Sequence, residues 1–232
     1  EWVDPPGLAP GQVDASMLAE PMLTFSFLAC TLNKPGTWTV FDASGQVRGE
    51  VVVEGTTGFR TVHDWRYVYL NTARQVVLVV DPPASGIGVT LGRGSVSHQV
   101  SVLDRLGQPL GQCSALPFDS RSTFRVGDAV VGSAATHVER GAQVGGFGVN
   151  ERVDHQVVPL LDPQGVPFAT VVRHERVHTR RGQDNTWSYG VPDPQASHFE
   201  LHRDAALGEP MRSMALAFPA VLASILRRKN PR

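Results

Sequence analysis

The chain has 232 residues, of which 41% are hydrophobic, and a formal net charge of −1. This length and composition allow a sizeable hydrophobic core, in one large all-β domain or in two small domains. The near-neutral charge excludes a global field that would attract nucleic acid or an anionic membrane, so any such attraction must come from a local patch. We therefore expect no nucleic-acid partner.

The two cysteines, Cys30 and Cys113, both lie in apolar runs. This placement indicates buried, reduced thiols rather than a disulfide framework or a four-ligand zinc site. We accordingly expect a reducing compartment, with the protein cytoplasmic and, if it binds lipid, peripheral at the membrane.

Residues 1–18 are rich in Pro and Gly and lack periodicity, so they predict an irregular lead-in before a single domain at 19–232. From about Glu20, short runs rich in Val, Thr, Phe and Tyr alternate with turn residues at intervals of roughly ten residues, a pattern typical of an antiparallel sandwich or barrel. Examples are TWTVF, GEVVVE and QVVLVV.

Three segments, at 38–54, 99–113 and 156–173, repeat one pattern of apolar residues, D-x-x-G, three further residues, and then Gly or Ala. An Asp can open a turn by accepting a backbone hydrogen bond from two residues on, and Gly supplies the positive φ that starts the return strand. The pattern thus predicts three β-hairpins. Calcium binding is the weaker alternative, because each turn offers one carboxylate where an oxygen cage needs several. The aligned residues are Asp42, Asp104 and Asp162, then Gly45, Gly107 and Gly165, then Gly49, Gly111 and Ala169.

The stretch His174-Glu175-Arg176-Val177-His178 matches the H-E-x-x-H motif of zinc metallopeptidases. In those enzymes both histidines lie on one face of a helix and bind a single zinc, and the Glu acts as general base. The third repeat instead predicts that this stretch continues a β-strand, on which the same spacing fails. A third zinc ligand would have to be Glu200, His198 or His202. A zinc metallohydrolase stays an alternative, and we assign no catalytic residue, metal ligand or cofactor.

The same stretch contains the densest group of basic residues. Arginine offers bidentate contacts to phosphate, so an anionic headgroup could bind here. The alternative is a solvated edge strand whose charges prevent edge-to-edge aggregation. The candidate lipid-headgroup or anion-binding residues are Arg173, Arg176, Arg180 and Arg181.

The C-terminal segment predicts a helix at about 209–229. Pro210 suits a first helical turn, and Arg227, Arg228 and Lys229 suit the end. Apolar side chains occupy every face of the uncharged part between Arg212 and Arg227, so the helix should be surrounded on all sides. Fourteen residues rise only about 21 Å, short of the roughly 30 Å of a hydrocarbon core, so we expect burial inside the protein and no transmembrane span.

Repeated D-x-x-G hairpins followed by an apolar C-terminal helix resemble the phospholipid scramblase, LURP-one and Tubby superfamily. The segments that carry the resemblance are VFDASGQVRGEV, SVLDRLGQPLGQ and HFELHRDAALGEPMRSMALAFPAVLASIL. The resemblance implies an all-β fold, a twelve-stranded antiparallel barrel closed around a buried hydrophobic C-terminal α-helix. It also implies a non-enzymatic domain that binds a phospholipid headgroup, a membrane surface or a protein partner.

Features associated with the scramblase branch, a cysteine cluster for palmitoylation and an acidic calcium-binding segment, are absent from the sequence, so calcium-driven scrambling is not expected. For the Tubby branch no basic phosphoinositide-binding position can be aligned to a residue here. A structural or scaffolding barrel without a small ligand remains a further alternative.

Overall fold

The computed structural model describes residues 16–26, 36–55, 66–81, 98–115, 121–135, 137–139, 143–146, 149–180 and 191–229. Antiparallel strands dominate, with one short helix at the start, α1 (Ser16–Ala19), and a long one at the end, α2 (Met211–Lys229). The strands are β1 (Met22–Ser26), β2 (Gly36–Asp42), β3 (Val47–Glu54), β4 (Arg66–Asn71), β5 (Val76–Asp81), β6 (His98–Asp104), β7 (Pro109–Ala115), β8 (Arg121–Val126), β9 (Ala129–Ala135), β10 (His137–Glu139), β11 (Gln143–Gly146), β12 (Val149–Leu161), β13 (Pro167–Arg180) and β14 (Val191–Arg203).

The sheet closes into a barrel of twelve antiparallel strands, in the order β12-β13-β14-β1 and then β2 through β9. Closure occurs where Leu160 and Leu161 of β12 pair with Ala134 and Ser133 of β9. Strands β10 and β11 lie outside this ring and pair with the first part of β12. Closure leaves the ring without an edge strand, which removes the main route to aggregation of sheets. The predicted twelve-stranded barrel is confirmed.

Helix α2 packs against β5, β6 and β7 and also against β13 and β14. Every residue from 213 to 224 is buried. These twelve consecutive residues cover more than three helical turns, so the described side chains of α2 are buried on more than one side. Among the contacts, the ring of Phe218 meets Phe124 edge-on at 5.5 Å, and the hydroxyl of Tyr69 donates to the carbonyl oxygen of Ala217 at 3.5 Å.

The three D-x-x-G segments form hairpins, as predicted. In each, Oδ1 of the Asp accepts hydrogen bonds from the backbone N–H groups two and four residues on, at 2.8 to 3.0 Å. Gly45, Gly107 and Gly165 have φ values of 80°, 78° and 82°. Turn chemistry therefore explains the conserved spacing within the chain, and in all three turns Oδ1 is engaged by the backbone.

A fourth hairpin of the same kind, between β4 and β5, lacks the sequence pattern. There Oδ1 of Asn71 accepts from the N–H groups of Ala73 and Gln75 at 3.0 and 2.9 Å, and Arg74 occupies the left-handed position with φ 61°. Asn can replace Asp because the amide oxygen accepts the same bonds.

Consecutive strands run in opposite directions around the barrel, so the turns β2–β3, β4–β5, β6–β7, β8–β9 and β12–β13 all lie at one end. We call this end the turn rim. The C-terminal end of β14 and the start of β1 lie there too, because Met22 pairs with His202.

The structure also bears on the predicted cysteines, the N-terminal segment and the absence of a membrane span. Cys113 is buried, as predicted, and burial raises the pKa of its thiol to about 12. Cys30 lies outside the described residues. Of the predicted lead-in at 1–18, residues 1–15 lie outside the described residues, and Ser16–Ala19 form a short helix whose Met17 is fully buried. Within the described residues, no helix is both long and apolar enough to cross a membrane.

Candidate functional site

The H-E-x-x-H stretch lies on strand β13, as the repeat pattern predicted. Four residues along a strand, at about 3.3 Å each, separate two positions by roughly 13 Å. His174 and His178 therefore lack the one-turn spacing by which a helix brings both histidines to a single zinc.

His174 instead lies among titratable side chains from the neighbouring strands. His155 of β12 and His198 of β14 are its partners across the two strand pairs. Inward-facing Val171, Phe199 and Leu201 are fully buried, so by alternation His174, His198 and Glu200 are on the outer face of the barrel. We call the group on this face the wall cluster; it consists of His155, His174, His198, Glu200 and His202.

Glu200 is the centre of the wall cluster. Its Oε1 lies 3.3 Å from Nε2 of His174 and 3.5 Å from Nε2 of His198, and its Oε2 lies 3.1 Å from Nε2 of His202. The rings of His174 and His198 stack with their centroids 4.3 Å apart. On the other side of His174, its Nδ1 is 2.8 Å from Nδ1 of His155, so one of these rings donates to the other.

The close packing of these side chains shifts the pKa values of His174 and Glu200. Burial, and then the neighbouring His198, lower the pKa of His174, and the carboxylate of Glu200 only partly opposes this. The pKa of Glu200 is also lowered: burial alone would raise it, but the hydrogen bond with His202 and the proximity of His174 outweigh burial. At neutral pH the site thus combines an ionised carboxylate with a neutral imidazole at His174.

Ligand atoms of His174, His198 and Glu200 all lie within 4.8 Å of one another, close enough to bind one metal ion. Sequence reasoning named Glu200, His198 and His202 only as possible third ligands, and it missed His155. Strand pairing was the signal that could have found the cluster. Only the correct register places these side chains together on the outer face, because a shift of one residue would turn them to the inner face.

The four predicted anion-binding arginines do not form one described surface. Arg173 faces inward beside Val171 and is only 8% exposed, so it is largely inaccessible to a headgroup. Arg176 and Arg180 are placed by their backbones on β13, towards the end opposite the turn rim, opposite Val153 and Val149 of β12. Arg181 lies outside the described residues. The anion-binding prediction now depends on the last three.

Among the described residues, large exposed apolar side chains are found at the turn rim. In the described part of the chain, the large hydrophobic residues that are exposed have between 47% and 70% of their surface accessible, and each is in or next to a rim turn. Scattered single residues of this kind are ordinary, but a concentration at one end of a domain is a common feature of interaction surfaces. These residues are Val47, Leu106, Val130 and Val166.

Comparison with protein-family models, with curated proteins and with solved structures finds no match. The functional interpretation therefore depends on the geometry of these surfaces.

Proposed function

We propose that this chain is a non-enzymatic, scramblase-like or Tubby-like barrel domain that docks reversibly on a phospholipid membrane surface through its turn rim. The observation that carries the proposal is the concentration of Val47, Leu106, Val130 and Val166 at that rim. The barrel is filled by α2 and its core, so binding is expected at the outer surface and the ends rather than in the interior.

The expected affinity is modest. Full burial of a Val or Leu side chain is worth about 1.5–3 kcal/mol, and these side chains are already about half buried, so four of them contribute roughly 4 kcal/mol on entering a membrane interface. A free energy near 4 kcal/mol corresponds to a dissociation constant of about 1 mM. Stable anchoring would therefore need a second contribution.

Arg176, Arg180 and Arg181 are the residues that we expect to supply a second, electrostatic contribution, or to form a separate headgroup site. Arg176 and Arg180 are on the part of β13 that is far from the turn rim, and Arg181 is the next residue in the sequence. Binding through the turn rim and binding through these arginines can be distinguished by salt. Contacts with exposed charges weaken as the salt concentration increases, whereas insertion of apolar side chains does not.

Vesicle co-sedimentation tests the proposal. The chain is mixed with neutral phosphatidylcholine vesicles and with vesicles that also contain phosphatidylserine, at low and at high NaCl. Leu106→Ser combined with Val166→Ser should abolish binding to neutral vesicles, and binding to anionic vesicles at high NaCl, while leaving the salt-sensitive part of the binding to anionic vesicles. Arg176→Gln, Arg180→Gln and Arg181→Gln together should weaken only the salt-sensitive binding to anionic vesicles.

A control removes an exposed arginine away from the turn rim, by Arg66→Gln, and is compared with Arg176→Gln alone, which makes the same change in charge. If Arg66→Gln weakens binding as much as Arg176→Gln does, net charge rather than a β13 site governs the interaction. If the unmodified chain binds neither type of vesicle, the membrane proposal is wrong, and a protein partner or a scaffolding role becomes the better explanation.

A further inference from the structure

We propose that the wall cluster is a binding site for a zinc ion, with Nε2 of His174, Nε2 of His198 and Oε1 of Glu200 as its ligands. The site joins β13 to β14 on the outer face of the barrel. It is distinct from the H-E-x-x-H arrangement, because it uses only one histidine of that motif, and it does not depend on membrane binding.

Two of the three separations between the ligand atoms match those of a tetrahedral ion, and the third, between the two histidines, is within 4.8 Å. Zn–N and Zn–O bonds of about 2.0–2.1 Å place tetrahedral ligand atoms about 3.3 Å apart. Oε1 of Glu200 lies 3.3 Å from Nε2 of His174 and 3.5 Å from Nε2 of His198. The stacked rings of His174 and His198 are only 15° from parallel, so one ring must turn to bring both in-plane lone pairs to a single ion. We expect His198 to turn, because its side chain is the more exposed of the two.

The kinds of donor atom indicate which metal is bound. Two imidazole nitrogens and one carboxylate oxygen suit zinc and similar divalent transition metals, whereas Ca²⁺ and Mg²⁺ prefer shells made of oxygen alone. Three protein ligands leave one tetrahedral position for water or for a donor from a partner molecule. The ligand side chains retain between 19% and 34% of their surface, although Nε2 of His174 itself is buried.

The two outer members of the wall cluster orient the ligands. If Nδ1 of His174 carries its proton and donates to Nδ1 of His155, the lone pair of His174 lies on Nε2, which is the atom that faces Glu200. His202 engages Oε2 of Glu200 and leaves Oε1 for the ion. Partners of this kind behind metal ligands are typical of metal sites, and their loss weakens metal affinity about 10–100-fold.

The ligands are held by the backbones of two paired strands, in a part of the pairing that ends at a register shift after His174. His174 and His198 are directly opposite each other in the β13–β14 pairing, and Glu200 is two residues further along β14, so it lies on the same face. Sites built on paired strands keep their ligands in place better than sites on loops, which reduces the entropy that binding must overcome.

Zinc titration of the tag-free, chelator-treated chain, in competition with a chromophoric chelator, tests the proposal. One zinc per chain is expected, with micromolar affinity or better. Glu200→Gln and His198→Ala should each weaken binding more than about 100-fold, and His155→Ala or His202→Ala about 10–100-fold. Circular dichroism of each variant establishes that it folds, and zinc should raise the melting temperature of the unmodified chain but not of Glu200→Gln.

His178→Ala is the matched control, because it removes the other histidine of the H-E-x-x-H motif while leaving the wall cluster intact. Binding should be unchanged in this variant. Loss of zinc in His178→Ala together with retention in His198→Ala would place the ion elsewhere and overturn the proposal. Absence of any binding at about 100 μM zinc, which corresponds to roughly 5.5 kcal/mol, would overturn it as well.

Discussion

Arg203, at the end of β14, donates a hydrogen bond through Nη2 to the carbonyl oxygen of Met17 at 2.6 Å, across 186 residues of sequence. The same guanidinium donates through Nε to the carbonyl oxygen of Glu20 at 2.8 Å and through Nη1 to that of Arg212 at 3.3 Å. Burial, and then the nearby Arg212, lower the pKa of Arg203 to about 10, so it remains charged at neutral pH. One side chain thus joins α1, the last strand and the start of α2.

Replacement of Arg203 by Lys should destabilise the fold although the charge is kept. A lysine ammonium cannot reproduce the planar fork that reaches three separate carbonyl groups. Loss of two or three buried, charge-assisted hydrogen bonds should lower the free energy of unfolding by about 2–4 kcal/mol, measured by urea denaturation. The exposed Arg105→Lys is the control and should change stability by less than about 0.5 kcal/mol. Equal effects of the two substitutions would show that the fork is dispensable.

Replacement of Gly111 by Ala should cause a steric clash. A Cβ at this position would lie 2.8 Å from the carbonyl oxygen of Arg125 on β8 and 2.9 Å from Sδ of Met214 on α2. The sulfur can move, but the backbone oxygen is held by strand pairing, so the substitution should cost about 1–3 kcal/mol. Gly208→Ala is the control because its Cβ would meet nothing within 4 Å. Comparable stability of the two variants in urea would mean that α2 and β8 shift easily.

The features that could be predicted from the sequence are those that depend on residues close together along the chain. The D-x-x-G turns could be identified because their hydrogen bonds join residues two and four apart. The turn at Asn71 was missed because Asn and Arg74 occupy the places of Asp and Gly, and an arginine at positive φ is rare enough that no pattern anticipates it. The second glycine of the repeat has a role that the sequence could not show, since it gives room to Met17 at Gly49 and to Met214 at Gly111.

The arrangement of the wall cluster could not be predicted for a related reason, although all of its members except His155 had been named. His155, His174 and His198 come together only through the register of three strands, two of which are joined by ten residues outside the described part of the chain. A motif search found His174 through a helical template, although the relevant neighbours lie across a sheet. Spacing along the chain therefore paired His174 with His178, named His198, Glu200 and His202 only as possible third ligands, and missed His155.

Asp42 should make the stability of the fold depend on acidity. The hydroxyl of Ser44 donates to its carboxylate at 2.7 Å, backbone N–H groups of Ser44 and Gln46 add two bonds, and Arg48 adds another. These bonds, led by that of the Ser44 hydroxyl and opposed by burial, lower the pKa of Asp42 from 3.8 to about 2. Because the folded pKa is the lower one, this stabilisation is present above pH 4 and is lost as the pH falls from about 4 to about 2.

Ser44→Ala should therefore raise the pKa of Asp42 and reduce the loss of stability between pH 4 and pH 2. NMR titration of the Asp42 carboxyl group and urea unfolding across this window measure the two effects. Arg48→Gln should produce a smaller change, because the arginine bond contributes less than the hydroxyl bond. A larger change in Arg48→Gln would show that the ion pair, rather than the serine, holds the carboxylate in its charged form.

Replacement of Gly45 by Ala should isolate the conformational cost of the repeated turn. A Cβ at Gly45 would meet nothing within 4 Å, so no clash contributes, but the φ of 80° lies in the left-handed region. An L-residue there costs about 1–2 kcal/mol, and the lower entropy of the unfolded Ala variant returns about 0.4–1 kcal/mol. The net expectation is a loss of about 1 kcal/mol in urea denaturation, whereas Gly208→Ala, equally uncrowded, should be neutral or slightly stabilising. If Gly45→Ala and Gly208→Ala had the same stability in urea, the β2–β3 turn would tolerate an L-residue as readily as the β4–β5 turn tolerates Arg74. The glycine of the D-x-x-G repeat would then not be a conformational requirement.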